Sequence, residues 1–398
     1  MKQSLHLGLI GLGGRGSFLL ENLLLSMDDV EIAAVCDLYE DRREHAAEVV
    51  REGRGRPCKA YTDYRLLLEE PGLDGVLIAS SWRDHAAMAA AAMRKGLYTG
   101  FEVGGAYSLE QCWQLVRAWE ETGTPCMMLE NCCYGRSEMM LLHMVRQGLF
   151  GELVHCQGGY EHDLREEVAT GVVKRHYRFG QYTHRNGDLY PTHALGPLAK
   201  MLDINRGNRF VSLVSMASKS VGMREWTAQN PPEGNPLFTQ GDVVTTMIRC
   251  ARGETILLIH DTTLPRPYSR ALRVQGSRGL YMEDTQSVHI EGKTEHEKWD
   301  SIESYRETYE HPLWKSYLAE GVRGGHDGMD YLVLRSFVEN AKAQAVPPID
   351  VYDAAAWMAV TCLSEESVAL GGAPVCFPDF TGGKWIGGTA GGTGRYAL

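Results

Sequence analysis

Aromatic rings and cations crowd one stretch of this chain. Between Gly158 and His193 stand Tyr160, His162, Arg165, His176, Tyr177, Arg178, Tyr182, His184, Arg185, Tyr190 and His193, with little apolar periodicity among them. Tyrosine, arginine and histidine together suit a polyhydroxylated ligand, because they offer hydrogen bonds to hydroxyls and faces on which a ring can rest. The stretch reads as a long loop; its aromatics argue against disorder, and loops of this length in a compact domain are usually functional. The plainer alternative is a solvated polar loop. The histidines match no metal-ligand spacing, so no metal is expected. A second chemistry-bearing stretch opens the chain. Gly11-Leu12-Gly13-Gly14-Arg15-Gly16 follows the apolar run Leu5–Ile10 and precedes a helical stretch, Ser17–Ser26. This is G-x-G-x-x-G in the context it needs, with glycines for a tight turn and a helix N-terminus for a pyrophosphate. The next apolar run, Val30–Cys36, ends in Asp37, about 20 residues on, where a carboxylate accepts from a ribose diol and repels a 2′-phosphate. The combination predicts NAD rather than NADP, with Arg42 and Arg43 pulling the other way.

Those residues need a frame, and the frame alternates. Gly75–Ser80, Tyr98–Val103 and Cys126–Leu129 read as buried strands, Asp84–Lys95 as a helix, and Ser108 with Gln111 as a capping box for a helix that stops at Gly123. Such alternation predicts a parallel, doubly wound sheet whose ligands sit beyond the carboxyl ends of its strands. Those ends carry Ser81 to His85, with Trp82 a candidate for the adenine or ribose or else a packing aromatic. They also carry Glu102-Val103 and Asn131, candidates for the nicotinamide end. Beyond about Gly151 the rhythm changes. Arg209–Ser218, Asp242–Cys250, Thr255–Leu264 and Ala271–Tyr281 are β-rich, several alternating with period two, as in an antiparallel sheet with one covered face. Late helices at Met329–Lys342 and Tyr352–Leu370 either cover that sheet or return to the first domain. The expected fold class is α/β. Residues 1–131 form a Rossmann dinucleotide-binding domain and 132–380 an α+β domain with an open, mainly antiparallel sheet for substrate and oligomer contacts. A glycine-rich tail, 381–398, follows, flexible or used in assembly.

Composition narrows the classes. The 398 residues are 44% hydrophobic and 23% charged, with a formal net charge of −11. An acidic chain is ill suited to phosphate backbones, so no nucleic acid is expected as partner. No apolar run approaches the ~18 residues of a membrane span, and the start lacks the regions of a secretory signal. A cytoplasmic protein with no membrane partner is therefore expected. The ten cysteines contain no C-x-x-C pair, which predicts neither a zinc site nor a disulfide framework.

Longer stretches are more selective than the glycine motif. They include Glu130-Asn131 with Cys133-Tyr134, Gly158-Gly159-Tyr160-Glu161-His162-Asp163-Leu164-Arg165, and Arg185-Asn186-Gly187-Asp188-Leu189-Tyr190-Pro191-Thr192-His193. His260-Asp261-Thr262-Thr263-Leu264 and Gly328-Met329-Asp330 follow. In these the chain resembles the Gfo/Idh/MocA oxidoreductases, and within them the NAD-dependent glycosidases of glycoside hydrolase family 109, typified by α-N-acetylgalactosaminidases. Besides the turn glycines Gly11, Gly13 and Gly16, the resemblance implies NAD contacts at Gly14, Arg15, Asp37, Trp82 to His85, Glu102, Val103 and Asn131. It implies sugar contacts at Tyr160, Arg178, Tyr190, Thr192, His193 and Tyr268. The wider family usually has Glu-Lys-Pro where this chain has Glu102-Val103-Gly104, so the lysine that helps take the alcohol proton is absent. His193 or Tyr190 is the natural replacement, neutral imidazole being suited to the task near pH 7. The segment before Arg178 is also shorter than in better-known members, which leaves the aglycone side and the anomer open.

The implied chemistry is unusual for a glycosidase, because the usual pair of carboxylates cannot be located. Tightly held NAD oxidises C3 of the sugar, the ketone acidifies the C2 proton, the aglycone is eliminated, water adds and the same cofactor restores C3. The base at C2 stays open among Tyr134, Tyr160 and Tyr190. Two other readings remain: an NAD-dependent sugar or cyclitol dehydrogenase, and a non-catalytic NAD- and sugar-binding regulator. By analogy with the wider family a homo-oligomer, dimer or tetramer, is expected.

Overall fold

The apolar runs at the start of the chain become one six-stranded parallel sheet in a computed structural model that describes residues 4–232, 236–389 and 391–398. Its strands are β1 (Leu5–Ile10), β2 (Val30–Cys36), β3 (Lys59–Tyr61), β4 (Gly75–Ile78), β5 (Tyr98–Phe101) and β6 (Cys126–Met128). They lie in the order β3-β2-β1-β4-β5-β6. The order reverses between β1 and β4, where doubly wound sheets bind their ligands. The sheet belongs to a compact unit made of Met1–Gly135, Ser316–Ala355 and Ala390–Leu398. Its helix Leu109–Thr122 begins as read: the Ser108 side chain accepts from Gln111 N, and Gly123 ends it in the left-handed region. Two boundaries differ from the sequence reading. The first helix runs Gly14–Asn22 and so takes in Gly14 and Gly16, the last glycines of the motif, and Trp82 starts the helix Trp82–Arg94 instead of preceding it.

The helix Met329–Ala343 returns to this unit. Its Phe337 ring meets Tyr98 edge-on with centroids 5.5 Å apart, and a Cβ at Gly100 would sit 2.8 Å from that ring. Its Ser336 accepts from the Tyr134 hydroxyl at 2.8 Å. The Tyr134 hydroxyl is also within 2.9 Å of the Tyr396 carbonyl, which ties down the end of the chain.

The second unit takes Arg136–Lys315 and Ala356–Thr389. Its sheet has nine strands: β7 (Leu153–Glu161), β8 (Phe210–Ala217), β9 (Val243–Cys250), β10 (Thr255–Asp261), β11 (Arg273–Gly276), β12 (Gly279–Met282), β13 (Ser287–Ile290), β14 (Asp300–Ser301) and β15 (Val375–Cys376). The order is β14-β13-β12-β11-β7-β10-β9-β8-β15. Every pair is antiparallel except β7 with β10, which places Tyr160 beside His260. Period-two alternation sends Cys156, Ile256, Leu258 and Ile248 to a buried face and leaves Thr245, Met247 and Arg249 exposed on the other. The helix Thr192–Met201 packs on the buried face, where a Cβ at Gly158 would lie 2.7 Å from Ala194 Cβ. Its Leu195, Leu198 and Met201 are buried, each contributing about 1.5–3 kcal/mol.

The stretch from Gly158 to His193 is not the loop its composition suggested. It holds the end of β7, short helices at Arg165–Ala169 and Arg178–His184, and the start of the helix at Thr192. Ala271–Tyr281 is likewise a hairpin, β11 and β12, turning at Ser277-Arg278. Of the glycine-rich end, Thr381–Thr389 lies in the second unit, where the Trp385 carbonyl accepts from Gly207 N at 2.7 Å.

Candidate active site

In the first unit the turn after β1 is built around absent side chains. Gly11 has φ +92°, and a Cβ there would stand 2.5 Å from Ser80 N; one at Gly16 would stand 1.9 Å from the Gly11 carbonyl oxygen. Glycine is therefore required at both. Gly13 caps the helix, and nothing lies within 4 Å of a Cβ at Gly14. The helix N-terminus thus has open space beside Gly14, which fits the pyrophosphate of NAD. Asp37, at the end of β2, is fixed by N–H donors from Leu12 (2.7 Å) and Tyr39 (3.0 Å). Arg43 is occupied by the Asp37 and Leu38 carbonyls, and Arg42 lies 3.9 Å from the Asp37 carboxylate.

Arg15, Glu102 and Asn131 converge on one point. Arg15 Nε donates to Glu102 at 3.0 Å, and its two terminal nitrogens donate to Asp330 at 2.9 Å each. Asn131 donates to Asp330 Oδ1 at 2.7 Å, and His326 Nδ1 to Oδ2 at 2.7 Å. Burial works against the Asp330 charge, yet the donors His326 and Arg15 hold its carboxyl well below the usual range. Burial lifts Glu102, opposed by Arg15. Val103, beside Glu102, is buried. His85 Nε2 lies 2.9 Å from the Ser80 carbonyl oxygen, and burial pushes its imidazole down to about 4, leaving it neutral near pH 7. Trp82 is 2% exposed and packs against Gly104, where a Cβ would be 2.2 Å from the indole. Little of its face is left for a nucleotide.

The second unit gathers the residues expected to hold sugar. Tyr160 is the last residue but one of β7, Arg178 starts one short helix, and Tyr190, Thr192 and His193 surround the start of another. The Tyr160 ring centre is 4.5 Å from that of Tyr190 and 5.7 Å from that of His193. Tyr190 Oη lies 3.4 Å from His193 Nε2. The Arg178 guanidinium is 5.1 Å from the Tyr190 ring centre and 5.8 Å from that of Tyr160, within cation–π range. Arg178 is buried, and its charge is met by a 2.8 Å ion pair with Glu167. Tyr268, 45% exposed, stands at the rim with its ring 5.0 Å from that of His162. Thr192 differs from the others: its hydroxyl is buried and has no partner among the described residues.

Several residues outside the expected set join these clusters. His162 Nδ1 lies 3.2 Å from the Tyr160 hydroxyl. His260 lies beside Tyr160 and Tyr182, with ring centres 6.4 and 6.3 Å away, and neither ring nitrogen has a partner among the described residues. Burial, reinforced by the Arg178 charge, pushes its imidazole down to about 3. The stretch His260-Asp261-Thr262 was itself a motif, but only the β7–β10 register reveals that it adjoins Tyr160. Asp330 and His326 were separated from Arg15 by most of the sequence, and no spacing rule links them.

Known proteins now place the fold. The profile described as an oxidoreductase family, NAD-binding Rossmann fold, of the Gfo/Idh/MocA group, matches residues 5–130. The profile for the glycosyl hydrolase 109 C-terminal domain matches residues 134–387. A glycosyl hydrolase family 109 protein of Stenotrophomonas maltophilia is 43% identical over 96% of this chain and 90% of its own length. An α-N-acetylgalactosaminidase of Tannerella forsythia is 41% identical over 96% of this chain and 87% of its own. Among solved structures, an inositol dehydrogenase homologue of Azotobacter vinelandii complexed with NADH and myo-inositol aligns with a TM-score of 0.70 at 18% identity, covering 95% of this chain and 98% of its own. A levoglucosan dehydrogenase in complex with NADH gives 0.72 at 17%, covering 94% and 100%. At such identities the likeness is one of fold: a Rossmann unit and an open-sheet unit. The first unit is an NAD-binding Rossmann domain, the second carries the domain that sets these hydrolases apart, and the chain belongs to glycosyl hydrolase family 109, an enzyme family of glycoside hydrolases.

Proposed function

We propose that this enzyme hydrolyses α-N-acetylgalactosaminides by oxidation at C3 and elimination across C1 and C2. The observation that carries the reading is the Tyr190–His193 pair, set among Tyr160 and Arg178 in a chain with no lysine after Glu102. The glycine turn, Arg15, Asp37, Glu102 and Asn131 would hold the cofactor, and Tyr160, Arg178, Tyr190, His193 and Tyr268 the sugar. Bound NAD supplies reversible hydride acceptance at C3, so its redox state is unchanged over a turnover.

Within that frame the side chains move protons. His193 Nε2 accepts the C3 hydroxyl proton, and the Tyr190 hydroxyl beside it orients that oxygen. The resulting ketone acidifies C2–H. Tyr160 and Tyr190 are the bases within reach of the same cluster, and Arg178 stabilises negative charge on whichever phenol gives up its proton. The aglycone then leaves C1 with its bonding electrons, and water adds to the enone at C1. The sugar assignment is supported by the name of the Tannerella forsythia relative. The second unit would also form the contact between copies of a homo-oligomer.

A proton NMR time course in D2O tests the route. Purified protein, with no NAD added, is given an aryl α-N-acetylgalactosaminide. Aglycone release with deuterium entering C2 is the expected result. Accumulation of NADH and a keto-sugar without aglycone release, seen only when NAD is supplied, would instead make the protein a dehydrogenase.

A further inference from the structure

Asp330 is not among the residues that the family likeness assigns to cofactor or sugar, yet it is the hub of the first unit's polar cluster. Its side chain is fully buried. It accepts from both terminal nitrogens of Arg15 at 2.9 Å, from Asn131 at 2.7 Å and from His326 at 2.7 Å. Arg15 in turn holds Glu102 at 3.0 Å. Three residues expected at the cofactor are therefore held, directly or through one guanidinium, by a carboxylate 315 positions away from Arg15 in sequence. A bidentate carboxylate fixes a guanidinium in plane as well as in distance.

The backbone that delivers Asp330 is strained. His326, Asp327 and Gly328 have φ of 48°, 53° and 96°, three successive left-handed residues, two of them not glycine. Such conformations persist where packing over-determines them. The packing partner here is the helix of the dinucleotide turn and its continuation. A Cβ at Gly325 would lie 2.4 Å from the Phe18 ring, and one at Gly324 2.4 Å from Leu23. The turn thus clasps the element that carries Arg15. Arg15 thus faces two carboxylates, Glu102 and Asp330, and the hydrogen bond from His326 to Asp330 raises that imidazole's pKa.

We propose that Asp330 is a positioning residue for the cofactor, holding Arg15 and Asn131 in the geometry that NAD requires, with His326 bracing it from the solvent side. The inference rests on NAD binding by the first unit and is independent of which sugar the second unit takes.

The test is NAD affinity, measured by calorimetry on cofactor-stripped full-length protein, with circular dichroism and melting temperature as controls for folding. Asp330→Asn should weaken NAD binding by roughly ten- to a hundredfold, the loss typical when a partner that orients a ligating group is removed. If Asp330 acts through Arg15 and Asn131, the Arg15→Ala, Asn131→Ala, Asp330→Asn triple variant should lose little more than the Arg15→Ala, Asn131→Ala protein. Additive losses, or unchanged NAD affinity in folded Asp330→Asn protein, would overturn the proposal. Should Asp330→Asn fail to fold, His326→Gln, at a half-exposed position, should still weaken NAD binding several-fold; unchanged affinity there would overturn it too. Wild-type protein that does not bind NAD would sink both this role and the NAD-dependent mechanism.

Discussion

At the scale of single residues, His193 is the side chain proposed above to take the proton from the sugar alcohol. His193 lies against the Tyr190 hydroxyl and beside the Tyr160 ring, whereas His260, the register neighbour of Tyr160, is buried and kept neutral by that burial. If His193 accepts the C3 proton, His193→Ala should lower both aglycone release and C2 deuterium exchange by roughly 10²–10⁴-fold, the usual worth of a general base. NAD should stay bound, because every cofactor residue proposed above lies in the other unit. A His193→Ala protein that still turned over at near wild-type rate would remove this histidine from the scheme. Residues of this kind are legible in sequence because they sit together in it: Tyr190, Thr192 and His193 occupy one tetrapeptide. Asp330 and His260 are not. Their partners come from strand register and chain return, which a motif does not encode.

At the scale of elements, the segment that presents Tyr190 and His193 is cross-braced by polar groups. Gln240 accepts from Gly187 N at 3.2 Å and donates to its carbonyl at 2.9 Å. Ser364 Oγ accepts from Asp188 N at 2.8 Å. The Asp188 carboxyl, 2% exposed, accepts from Tyr190 N at 3.3 Å. Burial pushes its pKa up to about 7 from an ordinary 3.8. The folded chain therefore binds this proton more tightly than the unfolded one. The stability it confers is complete below about pH 4 and is lost as pH rises through about 7. Asp188→Asn should remove that component, so its melting temperature should fall less than that of wild type between pH 4 and pH 7. Parallel curves for the two proteins would contradict the assignment. Element boundaries were legible where local chemistry fixes them, as at the Ser108–Gln111 cap and Gly123. They were not legible between Gly158 and His193, because helices of five and seven residues are too short to show a 3.6-residue period. The turn at Ser277-Arg278 was hidden by flanking β-formers on both sides.

At the scale of the whole molecule, the nine-stranded sheet has two unlike faces. One packs Cys156, Leu258, Ile248 and Tyr281 into the core. Across the other, register aligns Val214 on β8 with Met247 on β9 and Leu257 on β10, and Ile259 lies next along β10. Met247 is 41% and Met216 63% exposed. An apolar row crossing three adjacent strands is unlike the scattered exposed hydrophobics of ordinary surfaces, and suits the contact between copies proposed above. The occupant proposed here is a second copy of the chain, since a two-fold axis would set the face against itself and make one patch serve both partners. The alternation of apolar and polar residues along these strands was plain in the sequence; which set would be left uncovered was not, because that depends on where the helices pack. Light scattering after gel filtration should give at least twice the 44.3 kDa chain mass. Met247→Asp with Leu257→Asp should shift the protein to the monomer mass, because each copy would bring two carboxylates into a dehydrated contact. Since the substitutions leave Tyr160, Tyr190 and His193 untouched on the opposite side of the sheet, the monomer should retain sugar binding. A wild-type protein at the monomer mass over a wide concentration range would show that this face meets solvent, and the second unit would then serve substrate alone.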